Sequence, residues 1–267
     1  MSYFQERYGP WAVIAGATQG IGEQFSLQLA AKGLNLLMIA RGEQGLLDVS
    51  ATVRKQYDVE VETLALDLSD PALQSIIRKA VGDKEVGLFV YNATYSFIGE
   101  FLDDELSSKQ LCLDINCKGP LVFLDTFLPA MKTRKRGGAI LMSSMSGFQG
   151  SALVSCYAAT KAFNTVLAEG LWEELRHDGV DILACVAGAT TTPNFLKETP
   201  ADKVGSAFPM ESSSVVEEAL VALEKGLGPS RIVGKMNKLV YFIFNRLIRR
   251  KTAVSFFSKA TRQLYQQ

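Results

Sequence analysis

Short apolar runs rich in branched residues alternate along this chain with longer amphipathic ones. That alternation constrains the fold more than any other feature. The strand-like runs are Trp11–Ala15, Asn35–Ala40, Glu60–Ala65, Gly87–Tyr91, Ala139–Met142 and Asp181–Val186, with a weaker seventh at Arg231–Val233. Helical spacing fills the intervals near 21–32, 43–56, 71–81, 104–132, 155–176 and 212–225. Strand and helix repeated in this order predict an α/β fold with a parallel sheet covered on both faces. Runs as continuously apolar as 34–40 suit strands with no solvent face. Right-handed crossovers favour the doubly wound topology.

No linker, low-complexity tract or repeat divides residues 1–267, so one domain is expected, with 48% hydrophobic residues to fill its core. The 104–132 run is long for one helix, and Pro120 and Pro129 are expected to kink or end it. Residues 188–211, with Gly188, Pro193, Pro200, Gly205 and Pro209, read as a mobile lid loop. Basic and acidic residues balance at 28 each, which removes any composition-level case for a nucleic-acid partner. Four Cys without a C-x-x-C pair and a single His argue against a disulfide scaffold or a zinc site, and a reducing cytosol fits best. The start carries no secretory pattern. The longest apolar stretch near the C-terminus, Leu239 to Phe244, is far short of the roughly 20 residues needed to span a bilayer. A soluble, cytoplasmic protein is expected.

The first strand runs into Gly16-Ala-Thr-Gln-Gly20-Ile-Gly22, and a helix follows. A turn without Cβ atoms lets a diphosphate approach main-chain N–H groups at a helix N-terminus. An ordinary strand-to-helix loop would also accommodate three glycines, but the strand before and helix after match a dinucleotide fingerprint. The second strand ends at Ala40-Arg41, where NAD-preferring sites place an acidic residue. Arg41 can instead pair with a 2′-phosphate, which favours NADP, or it is a solvated surface residue. Asp67, after the third strand, can accept a bond from an adenine amino group or cap the next helix, although Ser69 and Asp70 are better placed for capping. Asn92-Ala93 closes the fourth strand and either ties neighbouring strands together or forms a simple turn.

Tyr157 and Lys161 share a helix face at i, i+4. An ammonium one turn away stabilises a phenolate and would lower the tyrosine pKa, making Tyr157 an acid–base group near neutral pH. With eight Tyr in the chain that pair alone is weak evidence. Ser144, at the carboxyl end of the fifth strand and 13 positions before Tyr157, strengthens it: its hydroxyl can bond a substrate oxygen. Ser143 and Ser146 are neighbouring alternatives, or turn residues. Asn116 reads as a solvated helical amide, or as the holder of a water that passes protons to Lys161.

Taken in this order and spacing, Gly16/Gly20/Gly22, Asn92-Ala93, Asn116, Ser144 and Tyr157-x-x-x-Lys161 resemble the short-chain dehydrogenase/reductases over about residues 10–235. The resemblance implies a Rossmann-type, three-layer αβα fold with about seven parallel strands, a nicotinamide cofactor and an Asn–Ser–Tyr–Lys tetrad. In it Tyr157 is the acid–base residue, Lys161 lowers the Tyr pKa and binds the nicotinamide ribose, Ser144 orients the carbonyl, and Asn116 supports the proton relay. It also places the cofactor along Gly16, Thr18, Gln19, Gly20, Ile21, Gly22, Arg41, Asp67, Leu68, Asn92, Ala93, Tyr157, Lys161, Gly188, Thr190 and Thr192. Two positions depart from the family pattern. Thr94 stands where Gly commonly follows Asn-Ala, which is expected to alter the backbone near the nicotinamide. Ala187-Gly188 stands for Pro-Gly, which is expected to loosen the lid. Gln19 occupies a turn position where NADP-preferring members often carry a second basic residue.

His177 reads as a helix-end cation rather than a catalytic group. The four Cys read as core or interface residues, with Cys156 beside Tyr157. The tail at 235–267 mixes apolar residues with Lys and Arg at helical spacing. It reads either as a helical cover over the substrate cleft or a partner subunit, or as an interfacial helix on anionic lipid. Its aromatic residues, Tyr241, Phe242, Phe244, Phe256 and Phe257, favour a sizeable apolar substrate, a small-molecule carbonyl or alcohol compound that the resemblance makes steroid-, retinoid- or fatty-acyl-like. Three functions stand: an NADP-dependent carbonyl reductase or alcohol dehydrogenase, a nucleotide-binding sensor with little catalysis, and a membrane-surface lipid reductase. The family resemblance also implies a homodimer or homotetramer built on the two long helices, unless the tail blocks that face.

Overall fold

The computed structural model describes residues 2–265; positions 266 and 267 of the expected tail lie outside them. Seven strands form one parallel sheet: β1 (Trp11–Ala15), β2 (Asn35–Ala40), β3 (Val61–Ala65), β4 (Val86–Tyr91), β5 (Gly137–Ser144), β6 (Val180–Ala187) and β7 (Ser230–Ile232). Their spatial order is 3-2-1-4-5-6-7. Every pairing is parallel, for example Ala15 beside Ile39 on one side and Tyr91 on the other. Successive side chains of a strand point to opposite faces, and β1 shows the result. Ala12 and Ile14 enter one core with Phe25 and Leu29, while Val13 and Ala15 enter the other with Phe89 and Phe123.

The helices are α1 (Tyr3–Tyr8), α2 (Gly20–Ala31), α3 (Glu43–Gln56), α4 (Leu73–Val81), α5 (Leu106–Leu113), α6 (Gly119–Arg134), α7 (Ser155–Leu175), α8 (Pro193–Glu198), α9 (Ser212–Glu224), α10 (Lys235–Phe242) and α11 (Arg250–Tyr265). The α2, α3 and α9 helices cover one face, and α4, α6 and α7 cover the other. The fold is therefore the expected three-layer, Rossmann-type α/β architecture with an added C-terminal helical extension.

The two prolines of the 104–132 run act differently from each other. Pro120 lies in the first turn of α6, and Pro129 sits inside that helix without ending it. The N–H that Pro129 lacks would reach the carbonyl of Asp125, an exposed residue on the helix surface, where solvent can replace it. The interruption comes earlier, as a π-helical turn at Asp114–Lys118 in which Gly119 N–H bonds the Asp114 carbonyl five residues back. Pro120 has no N–H for the Asn116 carbonyl, so ordinary α-helical bonding cannot run unbroken through this point. Tyr91 seats the turn from below, donating to the Ile115 carbonyl at 2.6 Å. A Cβ at residue 119 would lie 1.9 Å from that phenol oxygen.

The 188–211 segment also carries more structure than a loop. Thr190–Thr191 pair in parallel with Met210–Glu211, and α8 with a short 3-10 turn at Val204–Ala207 lie between them.

Candidate active site

Strand order reverses between β1 and β4, and a parallel sheet opens a crevice at the carboxyl ends of strands flanking such a point. The sequence-predicted residues collect along that edge. The turn after β1 has Gly16 at φ +79° and Gly20 at φ +54°, both left-handed. Gly22 is packed so closely that an added Cβ would stand 1.7 Å from the Gly16 carbonyl oxygen. Asn92 donates to that same carbonyl at 2.8 Å, tying the end of β4 to the turn. Ala93 packs on Gly16, and its N–H bonds the Ala15 carbonyl at 2.9 Å. Ser26, unremarked in the sequence, donates its hydroxyl to the Gly22 carbonyl at 3.1 Å and steadies the turn from within α2. Only a helical Ser four residues past a glycine would have hinted at this.

The cradle suits a dinucleotide. The α2 helix starts at Gly20, and its N-cap, the exposed Gln19, makes no side-chain cap bond. Its first N–H groups and partial positive charge are thus left to an anion. Thr18 is partly exposed, and Ile21 packs on the core beneath. Arg41 is exposed at the end of β2. Asp67 accepts from Ser69 N–H at 2.9 Å and from its hydroxyl at 2.8 Å, and these bonds, with a smaller contribution from nearby Arg41, hold its carboxyl below the usual range. Asp67 therefore forms a local turn, while Asp70 takes the Ala72 N–H at 2.7 Å ahead of α4. The Leu68 side chain is in the core.

The lid segment meets the cradle directly. An added Cβ on Gly20 would stand 2.7 Å from the Thr192 methyl carbon, and the Thr192 hydroxyl accepts from Phe195 N–H at 3.2 Å to cap α8. Thr190 donates to the Gly188 carbonyl at 3.2 Å. Gly188 itself packs against the side-chain amide of Asn237 on α10, so the extension braces the place where Pro is replaced.

Ser144 ends β5; its hydroxyl accepts from Ser146 N–H at 3.2 Å and lies near enough to the Tyr157 phenol to favour its ionised form. Ser143 faces away, donating to the Lys161 carbonyl at 2.8 Å. Tyr157 is half-buried in the first turn of α7. Lys161 is buried, with its Nζ 5.5 Å from the Tyr157 ring centroid and donating to the Met142 carbonyl at 2.9 Å.

Here the structure corrects the expected electrostatics. Burial pushes the Tyr157 phenol above its ordinary value; the Ser144 hydroxyl opposes this, while Cys112 and Glu198 add to it. Burial also pushes Lys161 down to about 8. The i, i+4 spacing places the ammonium nearby, but loss of hydration dominates both groups. A linkage prediction follows. Between pH 8 and 10.5 the unfolded chain binds the Lys161 proton more tightly than the folded one, so stability should rise with pH across that window. Urea melts without added dinucleotide should show Lys161→Met abolishing a rise of about 2 to 3 kcal/mol.

Asn116 sits in the π turn with its side chain buried and fully engaged. Its Nδ2 donates to the Tyr95 carbonyl at 2.8 Å and the Thr160 hydroxyl at 3.0 Å, and its Oδ1 accepts from Tyr95 N–H at 2.8 Å and the Thr94 hydroxyl at 3.2 Å. The Thr94 departure is thereby absorbed: its hydroxyl joins this network, and its φ is not left-handed. The amide has no bond to spare for the water expected of it.

The extension closes over this edge. Ala152 N–H bonds the Ser258 hydroxyl at 3.0 Å, Ser151 and Thr261 share a bond of 2.7 Å, and Tyr241 packs on Phe148 with ring centroids 4.3 Å apart. Near the end of α11, the Tyr265 phenol lies in the field of Glu198 and Tyr157, and burial pushes it up to about 12. The sequence offered the cover as one of two readings but gave no sign that Glu198 and Tyr265 approach Tyr157. An apolar pocket lined by Phe97, Phe101, Cys112, Leu153 and Cys156 opens at the start of α7. His177 is exposed beyond the end of α7. All four Cys are free, and no cluster of metal-ligating side chains occurs among the described residues.

Residues 10–203 match the short chain dehydrogenase family model, and the chain belongs to that family. It is an oxidoreductase of the NAD(P)-binding kind. It is 30% identical to a 7β-hydroxysteroid dehydrogenase from Collinsella aerofaciens, covering 88% of this chain and 89% of that one. It is 28% identical to a very-long-chain 3-oxoacyl-CoA reductase from Rattus norvegicus, covering 97% and 83% respectively. A solved 7β-hydroxysteroid dehydrogenase structure superposes with a TM-score of 0.90 at 26% identity, covering 95% of this chain and 98% of that one.

Proposed function

We propose that this protein is an NADP-dependent carbonyl reductase or alcohol dehydrogenase acting on an apolar, steroid- or lipid-like substrate. The observation that carries the reading is the meeting of Ser144, Tyr157 and Lys161 beside the glycine turn, at the one edge where strand order reverses. The nicotinamide group, when bound, supplies or accepts the hydride. The chain's own groups handle the proton and the geometry. Tyr157 Oη gives its proton to the carbonyl oxygen during reduction, and takes it back during oxidation. A phenol whose pKa burial has raised stays loaded at neutral pH, which suits the reductive direction. The Ser144 hydroxyl, beside that phenol, holds the oxygen as it gains charge. Lys161 places a positive charge near the phenolate left behind and would bind the nicotinamide ribose. Asn116 acts through position: its amide locks the 94–95 backbone to Thr160. The main-chain carbonyl that Pro120 leaves without its usual helical donor is the group able to hold a relay water.

The aromatic residues of the extension and the activities of the two relatives support a steroid- or lipid-derived carbonyl compound. Arg41 supports NADP, because a guanidinium can pair with a 2′-phosphate where a carboxylate would bond the ribose hydroxyl. A homodimer is supported by an exposed apolar groove between α6 and α7 with Leu121, Leu128, Leu167 and Leu171 on its walls. No helix among the described residues is long and apolar enough to cross a membrane.

The test is NADPH and NADH consumption with steroid ketones and 3-oxoacyl thioesters, for the natural chain and Arg41→Asp. Turnover should favour NADPH. Arg41→Asp should lower the NADPH-to-NADH ratio of kcat/KM by about 10- to 100-fold, the worth of one charged hydrogen bond. Tight NADPH binding with no turnover across the panel would instead make the chain a cofactor sensor.

A further inference from the structure

The chain is neutral as a whole, but its charges are segregated. All 28 acidic residues lie within residues 1–224, while ten of the 28 basic residues lie within 225–267. The structure divides eight of those ten by task. Arg231 and Lys238 pair with Glu218, Arg262 pairs with Glu100, and Arg250 donates to the Phe148 carbonyl, so these fasten the extension to the body. Arg246, Arg249, Lys251 and Lys259 are exposed and take part in no ion pair among the described residues. The corner joining α10 to α11, through a π-helical turn at Ile243–Leu247, carries three of them. Met236, Leu239 and Phe242 on α10, with Leu247 in the corner, are each more than half exposed. The α10 residues repeat every three positions and share one side of that helix.

We infer that the α10–α11 corner docks onto an anionic lipid surface, with Phe242 and Leu247 entering the headgroup boundary and Arg246, Arg249 and Lys251 meeting lipid phosphates. Exposed apolar residues beside unpaired cations are what an interfacial element requires. A protein partner would need acidic residues facing that corner, and this chain has none in the extension to offer a second copy in a symmetric contact. The same extension packs on residues 148–152 at the mouth of the site. Docking therefore brings the pocket to the surface in which an apolar substrate dissolves, a consequence that rests on the substrate reading above.

The experiment is co-sedimentation of the full chain with vesicles of phosphatidylcholine alone and of phosphatidylcholine with phosphatidylglycerol, at low and high salt. The natural chain should pellet with the anionic vesicles at low salt and stay in the supernatant with the neutral ones. The triple variant Arg246→Glu, Arg249→Glu, Lys251→Glu should partition at least about a hundredfold more weakly, from roughly a fivefold loss per cation. Phe242→Ser with Leu247→Ser should also weaken binding at unchanged charge. Both variants should keep NADPH affinity and turnover of a water-soluble ketone, which shows that they fold. Full recovery of the natural chain in the supernatant with both vesicle types overturns the inference. So does a triple variant that still pellets, or one whose only change is loss of a dimer in sedimentation velocity, which would assign the corner to a second copy. None of these results bears on the Tyr157 chemistry, which is read from turnover.

Discussion

Tyr157→Phe is expected to lower kcat by about a thousandfold while leaving NADPH affinity within a few-fold of the natural chain. Removing one oxygen takes away the proton donor and nothing else of substance, and positioned acid–base groups contribute 10²- to 10⁴-fold. The ring remains to pack at the start of α7, and the lost hydroxyl takes away at most one neutral hydrogen bond, so folding stability should change by about 1 kcal/mol or less. The control is Ser144→Ala, which keeps the proton but loses the bond that steadies the oxygen, and should fall between the two. The measurements are NADPH titration by fluorescence and steady-state rates on a ketone that the natural chain turns over. Turnover of Tyr157→Phe within tenfold of the natural chain would remove the tyrosine from the chemistry and leave the water or Lys161 to supply the proton.

Gly22→Ala should be the most damaging single methyl in the cradle. It would sit 1.7 Å from the Gly16 carbonyl and 2.7 Å from the Asn92 amide nitrogen, and the first of these is backbone that cannot swing aside. The turn must open, the Asn92 bond to Gly16 must break, and the first turn of α2 must move. Overpacking of this kind costs about 3 kcal/mol, and the same displacement spoils the anion site, so NADPH affinity should fall at least about a hundredfold. Gly42→Ala is the matched control. Nothing lies within 4 Å of its added Cβ, and its φ of −87° suits any residue. Its melting temperature should equal or exceed that of the natural chain, because Ala reduces the freedom of the unfolded state. Equal NADPH affinity in the two variants would show that the turn is not the binding cradle.

The sheet was legible because its signal is local and repeated. β1 and β2 occupy the expected residues, since a strand buried on both faces must be apolar along its whole length. The π turn was not legible, because it depends on a distant phenol, Tyr91, meeting Ile115 and Gly119, and no spacing rule joins residues on different elements. The glycine turn was legible since steric room is a property of residue type. The sign of the Tyr157 shift was not. Proximity of Tyr157 and Lys161 follows from helix geometry, but the balance between charge and hydration depends on burial and on the charges of Cys112 and Glu198, which arrive from two other segments. Thr94 shows the converse case: a departure that looked disruptive became part of the Asn116 network once the neighbouring strand end was in place.

The bond between Asn92 and Gly16 joins residues 76 positions apart, across the seam where the two halves of the sheet meet. A dinucleotide held at that seam would bind only the assembled molecule, so its concentration enters the folding equilibrium. At a hundred times its dissociation constant it adds about 2.7 kcal/mol. A cell that depletes its pyridine nucleotide pool would then lose more than the reaction: the share of this polypeptide open to proteases would grow, and its abundance would track the pool that it draws on.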